Sequence, residues 1–159
     1  MMENNELESV WADGVPKVIK DEDLLDAETI LKMCIRSFLE KEVSSGNCEL
    51  LDFTSKLNAF PNVVVRKNDQ IYGIAVIPCI YPHYLPKNDD FRFQFVKHCD
   101  SQNCLPVICP VAIHSIDEER KKASILLDGD LFNCYPIGMK ILNLDPEQDL
   151  SFDQLNFSF

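Results

Sequence analysis

Residues 60–78 read FPNVVVRKNDQIYGIAVIP, and no other stretch restricts the fold as strongly. Val63, Val64 and Val65 are β-branched, a side-chain shape that packs well on a pleated surface. Across 71–77, Tyr72, Ile74 and Val76 fall on one face and Ile71, Ala75 and Ile77 on the other. Two apolar faces are the pattern of a central strand covered from both sides. Lys67-Asn68-Asp69-Gln70 supplies residues that favour tight turns and tolerate unusual backbone angles, so the spacing predicts a hairpin. Pro78 cannot donate to a ladder and is expected to end the second strand. Gly73 is expected to mark a bulge or the close approach of another backbone. A buried helix fits poorly, because the apolar runs are short and β-branched.

A chain of 159 residues is long enough for one domain with a sizeable core. A hydrophobic content of 46% argues against a wholly disordered chain. No apolar run approaches the roughly 20 residues that cross a bilayer. The start, MMENNELESV, is acidic and has neither the basic opening nor the apolar core of a signal peptide. A cytoplasmic location is therefore expected, with no membrane partner. Seven cysteines without compact spacing then read as reduced, mostly buried thiols.

The net charge of −11 is unevenly placed. Residues 1–30 hold nine acids and two bases, and residues 145–159 hold four acids and no base, which leaves the middle neutral. Nucleic acid is not an expected partner, since phosphate binding needs a basic surface. The acidic ends fit solvated tails or a surface for a basic protein partner.

Three parts follow: a loosely ordered acidic segment over 1–20, a single α/β domain over 21–143, and an acidic tail over 144–159. In the first, Val10 and Trp11 are candidate anchors onto the domain. A helix is expected from Asp21 or Asp23 to about Val43, with Leu24, Ala27, Leu31, Cys34, Ile35, Phe38 and Leu39 on one face. Ser44-Ser45-Gly46-Asn47 stops it, and Asn47 can cap a second helix to about Leu57, striped by Leu50, Phe53 and Leu57. After the hairpin, Pro78, Pro82 and Pro86 stiffen a loop rich in Tyr81, His83 and Tyr84. Asn88 or Asp89 starts a further helix, with Phe91, Phe95, Cys99 and Val96 facing inward. Residues 105–114 form a strand, which Pro106 and Pro110 suggest lies at an edge or is bulged. Residues 124–127 and 131–135 flank Asp128-Gly129-Asp130, a hairpin-turn signal, and 138–142 adds a last strand. Phe152, Phe157 and Phe159 suit a tail that docks on something apolar. The fold class is α/β, an α+β arrangement on a mixed sheet.

Helices, a hairpin, a helix and another strand over 24–114, with Pro61-Asn62 on the first strand and Ala75-Val76-Ile77 on the second, resemble the restriction-endonuclease-like domains of the PD-(D/E)XK superfamily. In that family Pro-Asp and Asp/Glu-X-Lys occupy these places. Their carboxylates hold a divalent metal, and the lysine helps activate or position water. The resemblance implies a nuclease-like core whose active site is lost, because Asn62, Ala75 and Ile77 cannot supply that chemistry. Glu49, Asp52 and Asp69 are the carboxylates a displaced metal site would draw on.

Two other constellations are available. Cys79, His83, Cys99 and Cys104, with Cys109 and His114 beside them, are candidate zinc ligands, but the set lacks a Cys-X-X-Cys knuckle. Cys79 with His83 or His114 is a formal nucleophile–base pair, with no local oxyanion hole to serve it. The expected function is a non-catalytic protein-interaction domain that needs no cofactor. In its specific form it is a bacterial immunity or antitoxin-type protein neutralising a basic toxin by charge complementarity. The alternatives are a metal-dependent nuclease with a displaced site and a small acidic secretion-type chaperone. The last would be a homo-oligomer.

Overall fold

The computed structural model describes residues 11–12, 15–16, 21–83 and 89–151. The expectations for Val10, Tyr84, Pro86, Asn88, Phe152, Phe157 and Phe159 fall outside them. Strand β1 (Trp11–Ala12) pairs antiparallel with β2 (Val15–Pro16) in a separate two-stranded ladder. A 3-10 turn at Asp21–Asp23 precedes helix α1 (Ala27–Phe38). That helix begins later than predicted because Asp26, and not Asp21 or Asp23, accepts the Thr29 amide at 2.7 Å. Leu31, Cys34, Ile35 and Phe38 are buried as the helical spacing predicted, and a π-helical turn, Leu39–Val43, ends the element.

The second predicted helix does not form. Glu49–Phe53 is strand β3, paired antiparallel with β4 (Val63–Lys67) through a register shift at Leu51. Leu50, Phe53 and Leu57 fit helical spacing, but they form no buried stripe: Phe53 and Leu57 are 55% and 44% exposed. Pairing with an adjacent strand overrides so weak a periodicity.

The predicted hairpin is present. Asn68 and Asp69 take φ angles of 51° and 63°, the left-handed pair of a two-residue turn, and join β4 to β5 (Gln70–Ile80). Strand β5 runs past Pro78 to Ile80, contrary to expectation. Asn62 bonds to Ile74 and Val76 on the β4 side of β5, so Pro78, two residues on, faces that same side beyond the end of β4. No ladder bond is lost there.

Helix α2 (Asp89–Ser101) crosses back to β6 (Leu105–Ser115), which lies parallel to β5 along nine residue pairs. The edge position expected for β6 is wrong: it lies inside the sheet. β6 also pairs with β7 (Phe132–Pro136) and β8 (Lys140–Ile141), which divide its other side. The carbonyls of Pro106 and Pro110 accept from Leu142 and Ile137, both at 2.8 Å. Both prolines thus face the divided side, at the end of β8 and in the gap between β8 and β7. The ladder toward β5 is carried by the alternate residues. A short helix, α3 (Glu118–Lys122), follows β6.

Asp128-Gly129-Asp130 does turn the chain, with the Asp130 amide donating to the Leu127 carbonyl, but its flanks do not pair with each other. Leu127 bridges Leu24, while β7 joins β6. The segment set apart as a tail contributes β9 (Leu150–Ser151), paired with β8. Arg92 of α2 anchors it through Asp149 at 2.7 Å and the Asn143 carbonyl at 2.9 Å.

The result is an α+β fold on a mixed seven-stranded sheet, ordered β3-β4-β5-β6-β8-β9 with β7 also on β6. Helix α1 covers one face, packing Cys34, Ile35 and Phe38 against Val63, Ile74, Val76, Val107, Val111 and Ile113. Helix α2 covers the other, packing Phe95 and Cys99 against Ala75 and Ile108. Burial on both faces explains the near-continuous apolar runs of β5 and β6. Among the described residues no helix is long and apolar enough to cross a membrane.

Candidate functional site

The positions that resemble the nuclease motif hold structural roles. Asn62, just before β4, is almost wholly buried. Its amide nitrogen donates to the Val76 carbonyl at 3.0 Å, and its amide oxygen accepts from the Val76 N–H at 2.8 Å. Its own N–H donates to the Ile74 carbonyl, and its carbonyl accepts from Thr54. The side chain thereby extends the β4–β5 ladder beyond the last strand pair. Ala75 and Ile77 pack in the apolar layer under α2. Of the replacement carboxylates, Glu49 pairs with Arg66 at 3.4 Å, Asp52 accepts the Phe53 amide at 2.9 Å, and Asp69 sits in the hairpin turn. They are spread along the β3–β4–β5 edge and share no focus.

The zinc candidates divide. Cys99 and Cys104 meet over Gly73, each sulfur 3.0 Å from the point its β-carbon would occupy. The close approach expected at Gly73 is therefore made by side chains, not by another backbone. Cys79 is buried, with its thiol 3.6 Å from the Ile77 carbonyl. Burial pushes that thiol up from its ordinary pKa, the opposite of what an attacking thiolate needs. His83 turns to His114 instead. Among the described residues no three His, Cys, Asp or Glu side chains are grouped so as to hold a metal ion.

The arrangement with chemical potential is the histidine pair. His114, near the end of β6, and His83, just past the end of β5, stand at the carboxyl ends of the two parallel strands. That end is where open α/β sheets present their ligand crevices. His83 takes a φ of 70° after Tyr81 and Pro82, and its N–H donates to the Ile80 carbonyl at 2.7 Å. His114 Nδ1 lies 3.0 Å from His83 Nε2, and Asn133 Nδ2 lies 3.3 Å from His114 Nε2. With the Asn133 amide donating, His114 accepts at Nε2, donates from Nδ1, and leaves His83 Nε2 as the acceptor. Both rings are neutral in that chain.

Tyr135 approaches both imidazoles, with ring centroids 6.1 Å from His114 and 6.5 Å from His83, and Tyr81 meets His83 edge-on at 5.6 Å. Lys121 Nζ stands 5.4 Å over the Tyr81 ring. Burial, then the charges of His114 and Lys121, hold His83 below the ordinary histidine value. Burial and Lys121 do the same to His114, against a smaller opposing pull from Glu118. Neutral imidazoles beside an ammonium can accept and relay protons or meet an anionic group.

A part-buried ion pair braces the same end. Asp130 accepts from Arg120 Nε at 2.9 Å and from Ser115 Oγ at 2.7 Å. Burial pushes its carboxyl up, but bonds from Arg120, Ser115 and the Leu131 amide outweigh that and hold it below its ordinary value. Sequence reasoning passed over Lys121, Asn133 and Tyr135 as site residues. No local signal joins residues 31 apart in the chain, as His83 and His114 are.

No curated protein and no solved structure matches the chain. A family model matches residues 30–137, from within α1 to just beyond β7, and so takes in the hairpin, Asn62, the thiols over Gly73 and the histidine pair. By that match this chain belongs to the family described as domain of unknown function DUF8840.

Proposed function

We propose that this chain is a non-catalytic protein-interaction domain of nuclease-like layout, acting in the cytoplasm on a basic partner as an immunity or antitoxin-type protein. The observation that carries the reading is Asn62. Where a metal-binding carboxylate would stand, a buried amide has both polar ends occupied by Val76. A carboxylate there could not donate to the Val76 carbonyl, so this position serves the sheet and not a metal.

The acidic stretch leading into α1, residues 21–28, supplies a surface for such a partner. The Leu24–Leu127 bridge, the Leu25 N–H to the Leu126 carbonyl (3.0 Å) and the Asp128 N–H to the Asp23 carbonyl (2.9 Å) clip it to the domain. Glu22, Asp26, Glu28 and Asp128 are exposed around this clip. Complementary charge speeds encounter and selects among partners. The test is capture from the native host, together with rescue of cells expressing a basic toxin, by the wild-type chain and by Glu22→Lys/Asp128→Lys. Capture and rescue by wild type, both weakened in the charge-reversed form, are expected. Failure of wild type in both assays refutes the reading.

A second reading, the nuclease with a displaced site, draws on His83 and His114 at the carboxyl ends of the parallel strands. Thermal unfolding with chelator, then with magnesium, manganese or zinc, separates the two. A ligand bound only by the native state raises the midpoint. An unchanged midpoint is expected, and a rise with magnesium or manganese would favour the displaced site.

A further inference from the structure

Cys99 lies near the end of α2, and Cys104 stands one residue before β6. The Cys104 N–H donates to the Cys99 carbonyl at 3.0 Å, which closes the turn between them. Both sulfurs lie 3.0 Å from where a β-carbon on Gly73 would sit, with Pro61 Cγ at 3.1 Å as a further wall. Two thiols therefore share a space that exists because residue 73 has no side chain. Cys99 is sealed from solvent, whereas Cys104 keeps 9% of its surface, beside the exposed Gln102 and Asn103.

We propose that Cys99 and Cys104 are a redox-modification site that forms a reversible intramolecular disulfide when hydrogen peroxide reaches Cys104. The Cys104 sulfur attacks one peroxide oxygen and the O–O bond breaks. The departing hydroxide leaves as water with the thiol proton, and Cys104 becomes a sulfenic acid. The Cys99 sulfur, its thiol pKa held above the ordinary range by burial and Cys104, then attacks the adjacent Cys104 sulfur as its proton passes to the departing hydroxyl. The S–O bond breaks, the S–S bond forms, and the hydroxyl leaves as a second water with the Cys99 proton. The two thiols lose two electrons, and the peroxide gains them. A small oxidant suits a sulfur with so little exposed surface. The competing pair is Cys34 and Cys134, whose thiols are hydrogen-bonded and where Cys134 Sγ lies 3.7 Å from the Met33 carbonyl. Those two belong to separate elements, α1 and β7. Cys99 and Cys104 share one turn whose backbone is already bonded.

The experiment titrates the reduced full-length protein with hydrogen peroxide, blocks free thiols by alkylation, and maps the products by mass spectrometry. Expected are an intact mass lower by two hydrogens, a peptide cross-linked between Cys99 and Cys104, and reversal by dithiothreitol. The thermal midpoint should rise by about 5 °C, the scale of a short-loop cross-link in a domain of this size. Cys104→Ser, or Cys99→Ala should the first fail to fold, removes this product, and Cys34→Ser leaves it in place. No cross-link, a sulfinic acid at Cys104 in its stead, or a cross-link between Cys34 and Cys134 would overturn the proposal.

Discussion

Asn62 and Val76 exchange two hydrogen bonds, side-chain amide to backbone, at 3.0 and 2.8 Å, although fourteen positions separate them. The pair does what another strand residue would do, one step beyond the end of β4. Asn62→Asp keeps the size but replaces the donor with an oxygen facing the Val76 carbonyl, and it places a charge in a buried setting. A loss of about 2–4 kcal/mol is expected in urea unfolding. Stability equal to wild type would show that this amide is not a clasp.

Gly73→Ala puts a methyl group 3.0 Å from two sulfurs and 3.1 Å from Pro61. The expected cost is about 1–3 kcal/mol, as for overpacking a filled core. Adding Cys99→Ala or Cys104→Ala should recover part of it, and a double-mutant cycle by chemical denaturation reads the coupling. Strict additivity would mean that the sulfurs do not set the constraint.

Asp130→Asn removes the closer of the two carboxylates that Arg120 pairs with, at 2.9 Å against 3.7 Å for Asp117. The Asp130 side chain is 5% exposed and that of Arg120 is 21% exposed, so the pair is partly screened and a loss of about 1–3 kcal/mol is expected. Because the folded carboxyl is held below its ordinary value, its contribution is present above about pH 4 and is lost as pH falls through the folded value. Urea midpoints for wild type and Asp130→Asn should therefore converge in acid.

His83 and His114 act in the same sense, in a higher pH window. Both are held below the ordinary histidine value, so between the folded values and about pH 6.5 the unfolded chain binds more protons. Stability should fall as pH drops below about 6.5, and His114→Gln should flatten that slope. Lys121 opposes protonation and Glu118 partly favours it at His114, so Lys121→Met should bring the folded values closer to the ordinary one and make the fall smaller. Urea midpoints from pH 5 to 8 measure both effects.

Arg92→Ala removes the bonds to Asp149 and the Asn143 carbonyl that hold the C-terminal segment against α2. Faster amide exchange at residues 140–151 is expected, with a global loss of about 1–2 kcal/mol. Unchanged exchange there would show that β8–β9 pairing alone retains the segment.

Local chemistry made the hairpin readable: β-branched runs and an Asn-Asp turn predict β4 and β5 without reference to anything distant. The buried face of α1 and the inward positions of α2 were likewise written in their spacing. Residues 49–53 misled because Leu50, Phe53 and Leu57 satisfy a helical period by chance, and only β4 alongside them selects the strand. The prolines of β6 misled for a related reason. A proline forbids one hydrogen bond on one side of a strand, and the sequence does not say which side has a partner to lose.

Neighbouring residues decide among themselves the turn at Asn68-Asp69, the spacing of the helix faces, and the lack of the nuclease motif's residue types at Asn62, Ala75 and Ile77. Tertiary structure alone decided that Asn62 would complete a ladder, that Cys99 and Cys104 would share the space over Gly73, and that His83 would meet His114. Each of these depends on which strands lie side by side. Strand order is set by burying both faces of the whole sheet at once, a quantity to which no short window of sequence corresponds.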